Sequence, residues 1–593
     1  MYLQWIDWLS IILFFAASLA IGLAVARKSG SSVSEYFTAG KSMPWWLLGV
    51  SMVATTFSTD TPNLVTDIVR THGVGGNWLW WSYLLTGMLT VFVYAQLWQR
   101  AGVLTDVEFY ELRYSGKPAS FLRGFRAIYL GLFFNVVVMA SVSLAAIKIG
   151  RIMLDLSPLE TILIASVVTV IYSSLGGLRG VLFTDFFQFF LAMIGSFAAA
   201  YFALQHPKVG GLSGLLAHPE VQGKLSMIPA DRATLITVFI IPLAVQWWST
   251  WYPGSEPGGG GFIAQRMLSA KDEKNSIGAV FFFNAAHYAL RPWPWIIVAL
   301  CSMVVFPDLE SIRAAFPHAA DIVKEDAGYS AMLTFLPPGL LGLVVASLIA
   351  AYMSTISTML NWGSSYLVHD FYERFINPAS TQRQLVWAGR LCTVLLMVLT
   401  GILSLWMENA LDNFQIMLQI GAGTGLLFIL RWFWWRINAM SEISAMFVSF
   451  AIALYFRFVH VQSGFEPISN DLQLLIGVGM TTLCWIVVTY VTPPTDYKRL
   501  LEFYNRVTPG GPGWRRLVDD AATRGDFIET VKHWHVPLGM LCMLLGCIAI
   551  YATLFATGYW IYGQTLLATA LTVTAVVSTG ILIVAWNKLV QVR

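Results

Sequence analysis

The sequence predicts an all-α polytopic membrane protein built on inverted repeats, and three observations lead there. Over 593 residues the chain is 57% hydrophobic and only 12% charged, with a mean hydropathy of +0.65; an ordinary soluble domain carries about 25% charged residues. Apolar runs of about 20 residues recur along the whole length, each long enough to cross a bilayer as a helix. Two of those runs are interrupted by polar or Pro/Gly-rich backbone, and the two interruptions stand five spans apart, a pattern that marks inverted repeats around a binding site.

The runs read as about fifteen spans, near 5–27, 44–69, 78–99, 127–147, 158–175, 181–204, 233–252, 279–306, 338–361, 387–407, 411–430, 441–461, 471–491, 536–557 and 563–587. The first lacks a basic stretch before it and a small-residue cleavage site after it, so it reads as a span and not as a signal peptide. Loops that follow odd-numbered spans hold about three times as many Lys and Arg as the others, which puts the N-terminus outside and the C-terminus in the cytoplasm of a cell inner (plasma) membrane. The chain divides into an extra span and loop (1–43), a first five-span unit (44–204), a second (233–436), and extra C-terminal spans (437–593). Within the last unit a charged stretch at about 494–535, with Pro509-Gly-Gly-Pro-Gly513 at its centre, reads as a cytoplasmic linker.

Several function classes fall away. The net charge of +3 is too small, and its cations too scattered, for nucleic-acid binding. All five cysteines sit in apolar stretches without metal-ligand spacing, which predicts neither disulfides nor zinc. There is no HExxH, nucleophile elbow, Walker loop or His/Cys cluster, so no enzyme is expected. The lipid bilayer is the one macroscopic partner implied; no obligate protein partner is evident.

The first interruption is the run Ala54-Thr-Thr-Phe-Ser-Thr-Asp-Thr-Pro62. Irregular backbone at membrane depth survives only where protein buries it or where it lines a cavity. Threonines bond locally to backbone and compete with the helical ladder, and proline removes a donor. A plain proline kink also accounts for this run taken alone. The second interruption, Tyr252-Pro-Gly-Ser-Glu-Pro-Gly-Gly-Gly-Gly261, ends span 233–252; four glycines after two prolines cannot continue a helix. A flexible loop after the span explains the glycines equally well. Because five is odd, the second interrupted helix enters from the opposite side of the membrane.

Ionisable groups in spans are expensive and functional by default. Asp60 follows the first break, Asp185 lies in FTDFFQ (183–188), and Glu256 falls within the second break. His287 and Arg291 are four apart and share a helical face. Span 338–361 concentrates the hydroxyls of Ser354, Thr355, Ser357 and Thr358 among small residues. Hydroxyls there, with carbonyls freed at the first break, are the oxygen donors a hard cation such as sodium needs; close helix packing is the structural alternative.

These stretches resemble the sodium:solute symporter family, which includes bacterial sodium/galactose, sodium/proline and sialic acid transporters. The likeness is carried by EYFTAGKSMP (35–44), GVLTDVEFYELRY (102–114), YSSLGGLRGVLFTDFFQ (172–188), Gln265-Arg266 with Ala270-Lys271, and the run from Ala350 to Asn361, all in the family's order. The resemblance implies a five-plus-five inverted repeat (leucine-transporter-like) and alternating access around a midplane site. By similarity, backbone oxygens of Ala54, Phe57 and Ala351 with the hydroxyls of Ser354 and Thr355 form the sodium site, and Asp185 matches the family's acidic residue tied to sodium coupling. The substrate side departs from the family. Trp80, with Tyr83 one turn on, stands where sugar-transporting relatives place a carboxylate, and His287 stands where they place a lysine. The expected substrate contacts are Asp60, Thr61, Trp80, Tyr83, Trp248, Glu256, His287 and Gln419, with Trp247, Trp248 and Trp251 equally able to form an interfacial belt.

The function expected is sodium-coupled symport of a small polar organic solute: a sugar, amino acid, sialic acid or carboxylate. A transporter-like membrane sensor and a proton-coupled transporter are the alternatives.

Overall fold

The computed structural model describes residues 3–249, 257–407, 421, 423–460, 462–529, 531 and 533–591. Among the described residues there is no β-strand, only an isolated bridge between Met43 and Ala270, and eleven helices are long and apolar enough to cross a membrane. Three shorter apolar helices, Trp45–Thr55, Pro158–Ile171 and Arg232–Ala244, occupy further expected spans. The expected span 411–430 lies mostly outside the described residues.

The first interruption is real, but its position differs from the sequence expectation. Helix Trp45–Thr55 stops, residues 56–59 are irregular, and helix Asp60–His72 resumes. Pro62 lies inside the first turn of the resumed helix, where a missing N–H leaves no hydrogen bond unmade. The break is therefore made by Thr56 to Thr59 and not by the proline. Thr56 turns its hydroxyl back on the carbonyls of Met52 and Val53 at 3.1 and 3.0 Å, the local competition that threonine brings to a helix end.

Expected spans 158–175 and 181–204 are two helices that meet at Gly177, whose φ of 53° is non-helical, the first opened by a capping box at Ser157 and Glu160. A side chain at Gly177 would meet the Tyr36 carbonyl at 2.7 Å, so the bend and the close approach both require glycine. The helix after Gly177 lies along helix Leu340–Ser365: Ser354 reaches Asp185, and Gly195 lets Ser347 in close. Small residues on both sides allow that approach.

The charged stretch beyond 494, expected as a linker, holds two helices, Tyr497–Val507 and Arg515–Arg524. Their apolar faces (Leu500, Phe503, Tyr504, Val507, Leu517, Ala521) are buried. The Trp514 indole donates to the Trp432 carbonyl at 2.9 Å, and Trp435 N–H to the Gly513 carbonyl at 3.1 Å. Arg113 donates to the carbonyls of Arg431 and Trp434 and lies 4.9 Å from the Trp514 ring centre. The stretch is an amphipathic cap that ties the 109–114 segment to the 431–435 segment; Pro and Gly at its centre supply a turn between packed helices. Helices Val536–Ile561 and Thr565–Gln591 then pair as a terminal hairpin.

Candidate functional site

The end of helix Trp45–Thr55 exposes carbonyls that the helix itself cannot satisfy, and the structure supplies a donor to most of them. Arg291 donates to the carbonyls of Val53 and Thr56 at 2.8 and 3.1 Å. Thr355 donates to the Thr55 carbonyl at 2.7 Å and back to its own helix at Ala351, 3.2 Å. The Ala54 carbonyl receives the Phe57 N–H at 3.0 Å. Among the described residues no backbone N–H reaches the Phe57 carbonyl. A guanidinium at the C-terminal end of a half-helix also complements its dipole.

Ser354, beside Thr355, donates to Asp185 at 2.7 Å. The other carboxylate oxygen receives the Ser51 hydroxyl. Arg266 stands 3.9 Å from the same oxygen and donates to Ser51 at 3.2 Å and to Thr358 at 2.7 Å. Thr358 in turn meets Thr55 at 3.0 Å. Every member of this network is buried, and both Asp185 and Arg266 are fully so. Of the expected cation site, then, Thr355 bonds the first break directly, while Ser354 is joined to Asp185. Arg266, Ser51 and Thr55 were not singled out by role from sequence, whereas Thr358 was among the crowded hydroxyls of span 338–361. Arg266 had a signal, because an arginine inside the helix that resumes after the second break (Gly261–Ser269) needs an acidic partner.

On the other side of the break, His287 Nδ1 lies 3.1 Å from the Thr56 hydroxyl and contacts Arg291. The π-turn Ala286–Leu290 aims both at the irregular backbone. Trp80 sits edge-on to His287 at 5.4 Å and stacks on Tyr288 at 5.8 Å, while its indole donates to Asn77 at 2.8 Å. Tyr83 bonds Ser249 at 3.2 Å. Asp60 is partly buried in the first turn of the resumed helix, with Oδ1 unbonded, and the Thr61 hydroxyl accepts from Ser58 N–H at 3.3 Å. Trp248 lies in the short turn Gln246–Trp248, its backbone carbonyl pressed against Gly425. His287 thus meets the first break with Trp80 packed on it, while Tyr83 faces Ser249 and Gln246; Glu256, Trp251 and Gln419 lie outside the described residues.

The model of the sodium:solute symporter family matches residues 36–449. A sodium/glucose cotransporter of Vibrio parahaemolyticus is 26% identical, over 81% of this chain and 91% of its own length. Sodium/myo-inositol cotransporter 2 of Mus musculus is 26% identical, over 75% and 68%. Among solved structures, a substrate-bound, outward-open Na+-coupled sialic acid symporter superposes with a TM-score of 0.67 at 20% identity, covering 83% of this chain and 99% of that one. The shared fold is the five-plus-five inverted-repeat core, carrying extra N- and C-terminal helices here.

Proposed function

Because the chain belongs to the sodium:solute symporter family, a family of membrane transporters and not of enzymes, we propose that it couples sodium entry to uptake of one small polar organic solute by alternating access. The observation that carries the reading is the joint between the first break and helix Leu340–Ser365, where Thr355 bonds the Thr55 carbonyl and Ser354 bonds Asp185. Backbone oxygens of Ala54, Phe57 and Ala351 with the hydroxyls of Ser354 and Thr355 are the sodium ligands. Asp185 is the coupling carboxylate: it holds Ser354 and is itself held by Ser51 and Arg266. Sodium bound there joins a broken helix to a continuous one and so favours one of the two access states.

The solute site lies across the first break from the sodium site, lined by Asp60, Thr61, Trp80, Tyr83, Trp248 and His287, with Glu256 and Gln419. The two five-span units are 44–204 and 233–436, with the N-terminus outside and the protein in the plasma membrane. The relatives named for glucose and myo-inositol support a hydroxylated solute. Arg291, already engaged by two carbonyls, stabilises the break rather than serving as the anchor of an acidic solute.

The experiment is uptake by purified protein in proteoliposomes, across sugars, inositol, amino acids, sialic acid and carboxylates, with an inward sodium gradient. Accumulation of one solute that stops when choline replaces sodium is the expected result. Accumulation indifferent to sodium but driven by a pH gradient instead supports proton coupling.

A further inference from the structure

One turn from Tyr83 and His287, a small cavity of about 20 Å³ is lined by Tyr83, Thr86, Gly259, Phe283, Asn284 and Tyr288 among others. Three elements build it: helix Val74–Ala101, the backbone entering helix Gly261–Ser269, and helix Glu273–Val305. Two of its polar atoms have no hydrogen-bond partner, Thr86 Oγ1 and Asn284 Oδ1, although Thr86 is only 8% and Asn284 1% exposed. The Asn284 amide N–H₂ is already engaged at the Val280 carbonyl, 2.8 Å away. Gly87 permits the arrangement, since a Cβ there would collide with the Asn284 side chain. A buried polar atom left unbonded costs about 1–3 kcal/mol, and two of them facing one cavity point to a transient occupant. In its closed form the cavity has room for about one water.

From Trp80 the first helix runs on past Thr86 to Arg100, which pairs at 3.0 Å with Glu273 at the start of the other helix. The cavity therefore lies between the central site and the end of the bundle whose loops are rich in Lys and Arg. Among the described residues no Asp, Glu, Lys, Arg or His lines it, so a charged solute stripped of water there would meet no counter-charge from them. What it offers is a hydroxyl that donates and accepts, a carbonyl oxygen that accepts, and aromatic walls. Its floor is Gly259, a glycine of the second break, at φ 82° and against the Thr90 methyl.

We propose that Thr86 and Asn284 form a second solute station on the cytoplasmic exit path, selective for an uncharged, hydroxylated solute. This rests on the symport reading and adds to it the class of solute. During release the solute leaves the Trp80/His287 level as the glycine floor moves and exchanges its hydrogen bonds onto these two side chains.

The test uses the full-length protein in proteoliposomes, with D-glucose and myo-inositol as neutral probes and D-glucuronate, D-glucosamine, L-proline and sialic acid as charged ones. Sodium-driven uptake of a neutral probe at ten or more times the rate of any charged probe is expected. Thr86→Val and Asn284→Leu are expected to lower its maximal rate at least tenfold while Thr86→Ser retains it, with the sodium-induced thermal shift unchanged in all three as the sign of an intact fold. Preference for a charged probe, failure of both neutral probes, or undiminished rates in T86V and N284L overturns the station and leaves symport standing. Uptake of a neutral probe that ignores sodium yet still falls in T86V and N284L overturns the coupling and supports the station.

Discussion

Asp185 and Arg266 come from segments about eighty residues apart, and a serine mediates between them: Ser51 donates to the carboxylate and accepts from the guanidinium. With both charges fully buried, removing one strands the other, a loss of about 3–5 kcal/mol. Asp185→Asn and Arg266→Gln are each expected to lower the melting temperature markedly in detergent, and the double variant by clearly less than the sum. Strictly additive losses in that cycle would deny the coupling. Thr355→Ala removes the one hydroxyl that bonds the Thr55 carbonyl, and Ser354→Ala frees Asp185 from helix Leu340–Ser365. Each is expected to raise the sodium concentration for half-maximal uptake about tenfold, the loss of roughly one charge-assisted bond, with little change in solute affinity at saturating sodium. Ser354 and Thr355 were legible because four hydroxyls crowd one level of an otherwise apolar helix. Ser51 was not, since a lone hydroxyl in a small-residue helix looks the same whether it bonds its own backbone or a neighbour's carboxylate.

At the scale of elements, the breaks were easier to detect than to position. Polar, β-branched runs announce that a helix stops, but proline misleads about where, because Pro62 is harmless in the first turn of Asp60–His72. The cap beyond 494 was misjudged for a related reason: charge density suggested a solvated linker, while its apolar residues recur at helical spacing over only eleven and ten positions, too short to stand out. Its anchor is Trp514, fully buried against Phe503 and the Arg113 guanidinium. Trp514→Ala is expected to weaken docking by about 3–5 kcal/mol, seen as protease cutting in 508–513 under conditions where the parent chain resists. Acid acts on the same region through Glu111. Burial alone would raise its carboxyl, but hydrogen bonds from Arg374, Ser120 and Arg123 outweigh it and hold the group at about 2. A carboxyl lowered on folding adds stability above its unfolded value, and that stability is lost as pH falls toward 2. Hydrogen exchange in 109–126 is therefore expected to accelerate as pH drops below about 4.5, beyond the intrinsic trend, and to do so less in Glu111→Gln.

At the scale of the whole molecule, the architecture was legible because a bilayer imposes one rule, that every spanning backbone satisfies itself as helix, and because the two exceptions to it fall five spans apart. The solute pocket was far less legible, since its walls are ordinary aromatics and amides whose meaning depends on which neighbours leave them unbonded, as with Thr86 and Asn284. The same architecture makes the transport reading quantitative. If sodium crosses with the solute, each positive charge moved contributes about 2.3 kcal/mol per 100 mV of inside-negative potential, which corresponds to about a 50-fold change in the equilibrium accumulation ratio. A potassium diffusion potential set with valinomycin across proteoliposomes, at equal sodium on both sides, is expected to drive solute inward and to give about this slope for one sodium per solute, and its square for two. A ratio that stays at unity under 100 mV, with sodium present on both sides, would mean that no net charge moves with the solute, so that for a neutral solute sodium does not cross with it and Ser354 and Thr355 serve packing alone.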